Sequence, residues 1–197
     1  MRSGRPREFD MDAALGSALE VFWAKGYEGA SMAELTAAMG INRPSLYAAF
    51  GNKEDLFMRA LDLYAQSFHS AASGFTEEPT ARGAIEAFLR STAVLVTGPS
   101  TPHGCLLVQG ALAVGGAGEP VRQALAARRT AVLDAIRQRL QQGVDDGDLA
   151  ADTDVTDLAR YVVVTNNGIA VQAAGGATRD ELSRCIDIAM RAWPAVQ

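Results

Sequence analysis

The amino-acid sequence predicts an all-α protein of about nine helices, with three short helices at the N-terminus and a larger helical bundle after them. Three observations support this class. Apolar residues recur at intervals of three and four along most of the chain, which is the period of an amphipathic helix. Capping residues precede many of these runs and glycines follow them. No run shows the sustained apolar and polar alternation of a half-buried strand bounded by hairpin turns.

The composition limits the possible classes of protein. Of the 197 residues, 48% are hydrophobic and 21% charged, which is enough apolar material for a buried core and excludes a mainly disordered chain. The two cysteines are too few for a disulfide framework or a structural zinc site. We expect no metal and no cofactor. No run is apolar enough to span a bilayer, and no apolar segment follows the N-terminal arginines. We therefore expect a soluble, cytoplasmic protein.

The first two helices have clear start and stop signals. The first begins near Asp10, carries its apolar residues on one face, and ends at Gly26, because glycine readily adopts the backbone conformation that closes a helix. The second begins at Ser31 and Glu34, which form a capping box: each side chain satisfies an amide that the start of a helix leaves unpaired. This helix ends at Met39.

The remaining helices follow the same signals. Asn42 caps a short third helix over residues 43–50, with Pro44 tolerated in its first turn. Asn52 caps a long fourth helix that begins at Lys53. Beyond residue 76 the pattern is looser but still helical. The later predicted helices cover about residues 82–97, 104–114, 120–140, 153–174 and 179–193.

The second and third helices are separated only by residues 40–42, a glycine, an isoleucine and an asparagine. A short turn that contains glycine, followed by a short helix, is typical of a helix-turn-helix motif. In that motif the second helix enters the major groove of DNA. Leu46 and Phe50, four residues apart, are predicted to face inward. The outward-facing residues of the third helix are then Arg43, Ser45, Tyr47 and Ala48.

The run ASMAELTAAMGINRPSLYAAFGNKEDLF resembles the DNA-binding region of TetR/AcrR-type bacterial repressors, and the similarity covers about residues 5–60. The resemblance implies an all-helical homodimer, with a DNA-binding domain in residues 1–53 and a ligand-binding and dimerisation domain in residues 54–197. It also implies that Tyr47 and Lys53 hold DNA phosphates. The matching positions are Gly26, Tyr27, Ser31, Leu35, Ala38, Gly40, Ile41, Leu46, Tyr47, Phe50, Lys53 and Leu56. The set implied at base edges is Arg43, Pro44 and Ser45, with the helix caps Ser31 and Asn42 beside them.

The N-terminal segment before the first helix is rich in arginine. The chain as a whole carries a net charge of −5, so any DNA-binding surface must be a local one. Arg5 and Arg7 flank a proline, which favours an extended segment that could place two guanidinium groups in a narrow minor groove. The alternative is a solvated tail.

The C-terminal domain is predicted to bind a small molecule that the sequence does not identify. Asn166 and Asn167 lie in an apolar helix, where buried amides need partners, so they bond across a dimer interface or face a ligand. The pocket candidates alternatively form ordinary core. These candidates are Phe68, Phe88, Thr92, Leu95, Cys105, Leu106, Gln109, Tyr161 and Asn167.

The last two helices are predicted to form a four-helix bundle with those of a second copy. The resemblance suggests this arrangement, and small residues such as Gly168 would let helices approach closely. The predicted interface comprises Val162, Gly168, Ile169, Ala173, Leu182, Ile186 and Trp193.

The leading functional hypothesis is a transcriptional repressor that a small ligand releases from a palindromic operator; its partners are double-stranded DNA, the ligand and a second copy, with no membrane. An alternative is a repressor that senses electrophiles or oxidants through Cys105, although this cysteine also fits as a small core residue. A third hypothesis is a helical-bundle enzyme with Cys105 as nucleophile and His103 as base. Repressor and activator are not distinguished by the sequence.

Overall fold

The computed structural model describes residues 9–71, 75, 77–99, 101–112 and 118–194. Across these residues the chain forms nine helices and no strand, which confirms the predicted all-α fold. The helices are α1 (Met11–Gly29), α2 (Met32–Met39), α3 (Arg43–Phe50), α4 (Lys53–Ala71), α5 (Ala81–Val96), α6 (Leu106–Leu112), α7 (Glu119–Asp145), α8 (Val155–Ala174) and α9 (Arg179–Arg191).

The chain divides into two compact units, Met1–Tyr64 and Ala65–Gln197. Helix α4 begins in the first unit and ends in the second. The division of function at residue 53 stays a prediction.

The predicted caps of α2, α3 and α4 are confirmed, while some helix bounds differ from the prediction. Two capping boxes, Ser31 with Glu34 and Thr178 with Glu181, begin α2 and α9. Helix α1 does not stop at Gly26: this residue, at φ 70°, interrupts the helix, which resumes and continues to Gly29. Helix α7 extends five residues beyond its predicted end at residue 140, because its last turn still packs on the bundle through the buried Gly143.

An aromatic cluster holds the N-terminal unit together. Phe22 of α1 meets Phe57 of α4 edge-on with ring centroids 4.9 Å apart, and Trp23 meets Tyr64 at the same distance. All four of these rings are buried. Full burial of one large apolar side chain is worth about 1.5–3 kcal/mol, so this cluster fixes α1 against α4 and leaves α2 and α3 to complete the unit.

Helix α5 is the core element of the C-terminal unit and is buried along most of its length. It runs antiparallel to α9, because Arg82 near its start donates to the carbonyl of Met190, and Arg90 pairs with Asp187 one turn earlier in α9. The Arg139 side chain of α7 donates to the carbonyl oxygen of Glu78 at 3.1 Å, close to the start of α5. A Cβ on Gly143 would meet that of Ala81 as well, so the C-terminal end of α7 packs beside the start of α5.

Candidate nucleic-acid interface

A three-residue turn connects α2 to α3. Gly40 adopts φ 65°, a left-handed conformation that favours glycine, and its amide donates to the carbonyl of Ala37. The Asn42 side-chain oxygen then accepts the Ser45 amide at 2.9 Å and starts α3. The turn predicted from the sequence is therefore present with its own hydrogen bonds, and α2 and α3 form a helix-turn-helix.

One face of α3 is buried and the other faces outward. Leu46 and Phe50 are fully buried in the unit, as the spacing predicted. Tyr47 is 52% exposed although it is a large aromatic side chain, and Arg43 and Pro44 beside it are exposed too. The guanidinium of Arg43, the ring of Pro44 and the phenol of Tyr47 therefore lie on the surface that a groove-binding helix would present. Ser45 is half-buried, at the edge of this face.

Ser31 begins α2, and its hydroxyl is already engaged. The hydroxyl accepts the Glu34 amide at 3.2 Å and donates to the Glu34 carboxylate at 2.8 Å. Lys25 of α1 forms an ion pair with the same carboxylate. The bond to Lys25, followed by those to Ser31, lowers the pKa of Glu34 from 4.5 to about 2. The interactions of Ser31 thus fix the start of α2, and its proposed contact with DNA remains a prediction.

This carboxylate gives the start of α2 a dependence on pH. A lowered pKa means that Glu34 stabilises the fold fully above pH 4.5, and that the contribution disappears as the pH falls toward about 2. We expect an NMR titration to show Glu34 ionising below Glu181, whose matching capping box also lowers the pKa of its carboxyl. Lys25→Met should raise the pKa of Glu34 and leave that of Glu181 unchanged. Equal pKa values for Glu34 in the parent and the variant would contradict this prediction.

Lys53 stands at the first position of α4 and is held by an aromatic ring. Its ammonium lies 4.5 Å from the centroid of Tyr27, which itself packs edge-on against Phe57 at 5.1 Å. Burial raises the pKa of Tyr27, and Glu54 and Glu28 raise it further. Cation–π contact restricts the lysine side chain. Tyr27 is one of the positions that match the family in the sequence, where no role is predicted for it; in the structure its ring supports Lys53.

The arginine-rich segment joins the N-terminal unit close to α3. Arg5 and Arg7 lie outside the described residues. The first described residue, Phe9, places its ring 6.3 Å from that of Phe50, on the last turn of α3. Phe9, the residue that directly follows Arg5 and Arg7 in the described part of the chain, therefore lies beside α3, and the contact of these arginines with DNA stays a prediction.

The predicted pocket residues of the C-terminal unit separate into buried and exposed groups. Phe88, Thr92, Cys105 and Leu106 are buried, and Leu95, Gln109 and Asn167 are half-buried. Tyr161 is exposed, and the side chain of Phe68 lies outside the described residues. The neighbouring Asn166 is the buried amide of the pair, which the sequence could not show because both asparagines occupy the same apolar run.

Most residues of the predicted dimer interface are buried inside the chain itself. The side chains of Val162, Ile169, Ala173, Leu182, Ile186 and Trp193 are buried largely against their own unit, and their part in a dimer interface stays a prediction. Gly168 is exposed. A different set of apolar residues faces outward on α8 and α9, and it consists of Tyr161, Val164, Val171 and Ile188.

The histidine and cysteine that could form a reactive pair differ in exposure. Cys105 is 7% exposed, whereas His103 is exposed and accepts a hydrogen bond from Gln109 through its carbonyl oxygen. Both residues precede α6, which begins at Leu106 rather than at the predicted residue 104. Within the described ranges, no group of three or more His, Cys, Asp or Glu residues could hold a metal ion.

An N-terminal helix-turn-helix followed by a helical bundle defines a class of DNA-binding regulators. The family model described as "Bacterial regulatory proteins, tetR family" matches residues 14–60, and that described as "Tetracyclin repressor-like, C-terminal domain" matches residues 81–192. The chain belongs to the TetR family of bacterial transcriptional regulators, which confirms the resemblance noted in the sequence.

Relatives and solved structures agree with this assignment. The chain is 33% identical over 193 residues to the HTH-type transcriptional repressor ComR of Escherichia coli, covering 97% of this chain and 92% of ComR. It is 51% identical over 61 residues to the repressor BdcR of the same organism, covering 31% of each chain. A cysteine-substituted CifR, a TetR family regulator complexed with 26-base-pair operator DNA, superposes with a TM-score of 0.90 at 44% identity, covering 96% of this chain and 100% of CifR. No described helix could cross a membrane.

Proposed function

We propose that this protein is a repressor that binds a palindromic operator as a homodimer and is released by a small molecule bound in its C-terminal unit. The observation that carries the proposal is the exposed face of α3, where Arg43 and Tyr47 point away from a well-packed unit. CifR, 44% identical, binds operator DNA in its solved complex. Such a regulator acts in the cytoplasm, where bacterial DNA is located.

The proposed contacts with DNA have two kinds. Arg43, Pro44 and Ser45 at the start of α3 lie against base edges in the major groove, where an arginine can bond a guanine through two donors. Tyr47 and Lys53 hold phosphates, which fixes the position of the helix on the duplex. Asn42 and Ser31 cap the N-terminal ends of α3 and α2, and both lie next to the DNA backbone. Arg5 and Arg7 enter the adjacent minor groove.

The proposed dimer forms through the outward apolar face of α8 and α9. Val164 and Ile188 are 62% and 61% exposed although both side chains are aliphatic. Exposed apolar residues that form a continuous patch mark a surface for another molecule. Along α8 the residues Tyr161, Val164, Gly168 and Val171 repeat at intervals of three and four and so form one stripe. A two-fold axis through this stripe pairs it with the same stripe of a second copy.

Selection of bound duplexes from a random pool tests the proposed function. The two copies of α3 must enter successive major grooves about 34–36 Å apart, so the selected sites should be palindromes with half-sites about one helical turn, or a multiple of it, apart. Quantitative gel-shift assays on the selected duplex should show specific binding at nanomolar concentration. If the selected duplexes shared no common sequence, the protein would be a non-specific DNA binder and the proposed operator would be rejected.

We propose regulation without catalysis, in preference to the two cysteine-based alternatives. Cys105 is buried beside the exposed His103, so the thiol is shielded from reagents in solution and the side chains are in different environments. This arrangement favours Cys105 as a small core residue.

A further inference from the structure

Two polar residues are buried among the described residues, and both belong to the C-terminal unit. Thr92 of α5 is 2% exposed and Asn166 of α8 is 8% exposed. The hydroxyl oxygen of Thr92 and the carbonyl oxygen of the Asn166 side chain have no hydrogen-bond partner within the described part of the chain. Buried polar atoms are nearly always paired, because an unpaired one loses its bonds to water without replacement. These two oxygens therefore require an explanation.

Thr92 differs from other threonines in helices of this chain. The hydroxyls of Thr36 and Thr165, and that of Thr97 at the C-terminal cap of α5, each donate to the carbonyl oxygen four residues earlier, at 2.6–3.0 Å. This bond is the ordinary way to satisfy a helical threonine. The Thr92 hydroxyl makes no such bond and is left available for another group.

The two residues lie at the same level of the bundle. Gly104 connects α5 and α8: its amide donates to the carbonyl of Val96 at 3.1 Å, and a Cβ on it would lie 3.4 Å from the carbonyl oxygen of Ala170. Helices α5 and α8 pack against each other and their C-terminal ends meet at Gly104, so the two helices run parallel. Thr92 is one turn before Val96, and Asn166 is one turn before Ala170. Their buried side chains therefore approach the bundle interior together.

We propose that Thr92 and Asn166 form the polar end of the effector site and that the effector is an uncharged molecule with a hydroxyl group. This inference rests on the proposed function. The Asn166 oxygen can only accept a hydrogen bond, so the effector must donate one, and a hydroxyl can then accept from Thr92. An ionic effector is disfavoured because the buried side chains of α5 and α8 include no charged residue, and an unpaired charge in an apolar core is strongly unfavourable.

The test compares alcohols with hydrocarbons of the same shape, using the full chain without DNA. The probes are benzyl alcohol against ethylbenzene, and cyclohexanol against methylcyclohexane. We expect at least one alcohol to bind the parent protein about tenfold or more tightly than its hydrocarbon partner, measured by titration of the thermal midpoint Tm. Thr92→Val and Asn166→Leu should each abolish this preference. The matched control is Thr165→Val, because the hydroxyl of Thr165 is already bonded within α8.

A second measurement separates an effector site from a purely structural role. Thr92→Val keeps the shape of the side chain and removes an unpaired hydroxyl, so it should raise the Tm of the protein alone by about 2–4 °C. A fall in Tm would show that the hydroxyl is paired in the folded protein, for example by an internal water, and would overturn the proposal. Equal affinity of the parent for both members of both probe pairs would also overturn it. Neither measurement uses DNA. If the protein failed to bind a specific operator, that result would count against the proposed function and not against the ligand chemistry proposed for Thr92 and Asn166.

Discussion

Arg43→Ala is expected to weaken binding to the selected operator by about 2–6 kcal/mol, because a base-reading arginine is worth roughly 1–3 kcal/mol and a palindrome loses two of them. Arg43 is exposed on α3, so its removal should not unfold the N-terminal unit. The loss should be largest on the selected sequence and smaller on duplexes altered at the contacted base pair. Gel-shift titrations of parent and variant on both duplexes measure this difference.

Two further variants interpret that result. Arg137→Ala removes an arginine that pairs with Asp134 on α7, and it should leave operator affinity unchanged. Tyr47→Phe removes only a hydroxyl and should weaken binding to every sequence equally, since a phosphate contact carries no base preference. If Arg43→Ala also weakened all duplexes by the same factor, Arg43 would position α3 and not read the sequence.

Gly168→Arg is expected to convert the dimer to a monomer and to abolish tight operator binding. A Cβ at Gly168 would meet nothing within 4 Å in its own chain, so a larger side chain there is accommodated in the monomer. Glycine inside a helix is less stable than alanine by about 1 kcal/mol, so its presence on an open surface fits the close approach of another helix. By symmetry, one substitution places two arginines at the same contact. Sedimentation measures the mass, and circular dichroism checks the fold.

The control for this variant places the same side chain elsewhere. Gln138→Arg adds an arginine to the exposed face of α7 and should remain a dimer with parental operator affinity. Val164→Asp, on the neighbouring turn of the α8 stripe, should reproduce the monomer. A folded, dimeric Gly168→Arg with parental operator affinity would remove α8 from the proposed interface.

The sequence by itself determined the helices, their caps and the helix-turn-helix. These features depend on groups that are close along the chain: Ser31 meets Glu34 three residues later, and Asn42 caps the helix that follows it directly. The outward position of Arg43 and Tyr47 also followed from the sequence, because α3 is short and only Leu46 and Phe50 lie on its apolar side. Hydrogen bonds between residues close in sequence, together with the helical period, are sufficient to predict where a helix begins and which side of a short helix is exposed.

Only the tertiary structure decided which face of α8 belongs to the core. This helix carries apolar residues on two sides, with Val162 and Ile169 on one and Val164 and Val171 on the other, so the periodicity predicts burial for both. The structure buries the first pair in the chain and leaves the second exposed. It likewise selects Asn166 over Asn167, since adjacent residues on a helix point about 100° apart. The physical reason is that burial depends on which neighbouring helix covers each face. Helix α5, which packs against α8, comes from a distant part of the sequence, so periodicity within α8 cannot show which face it covers.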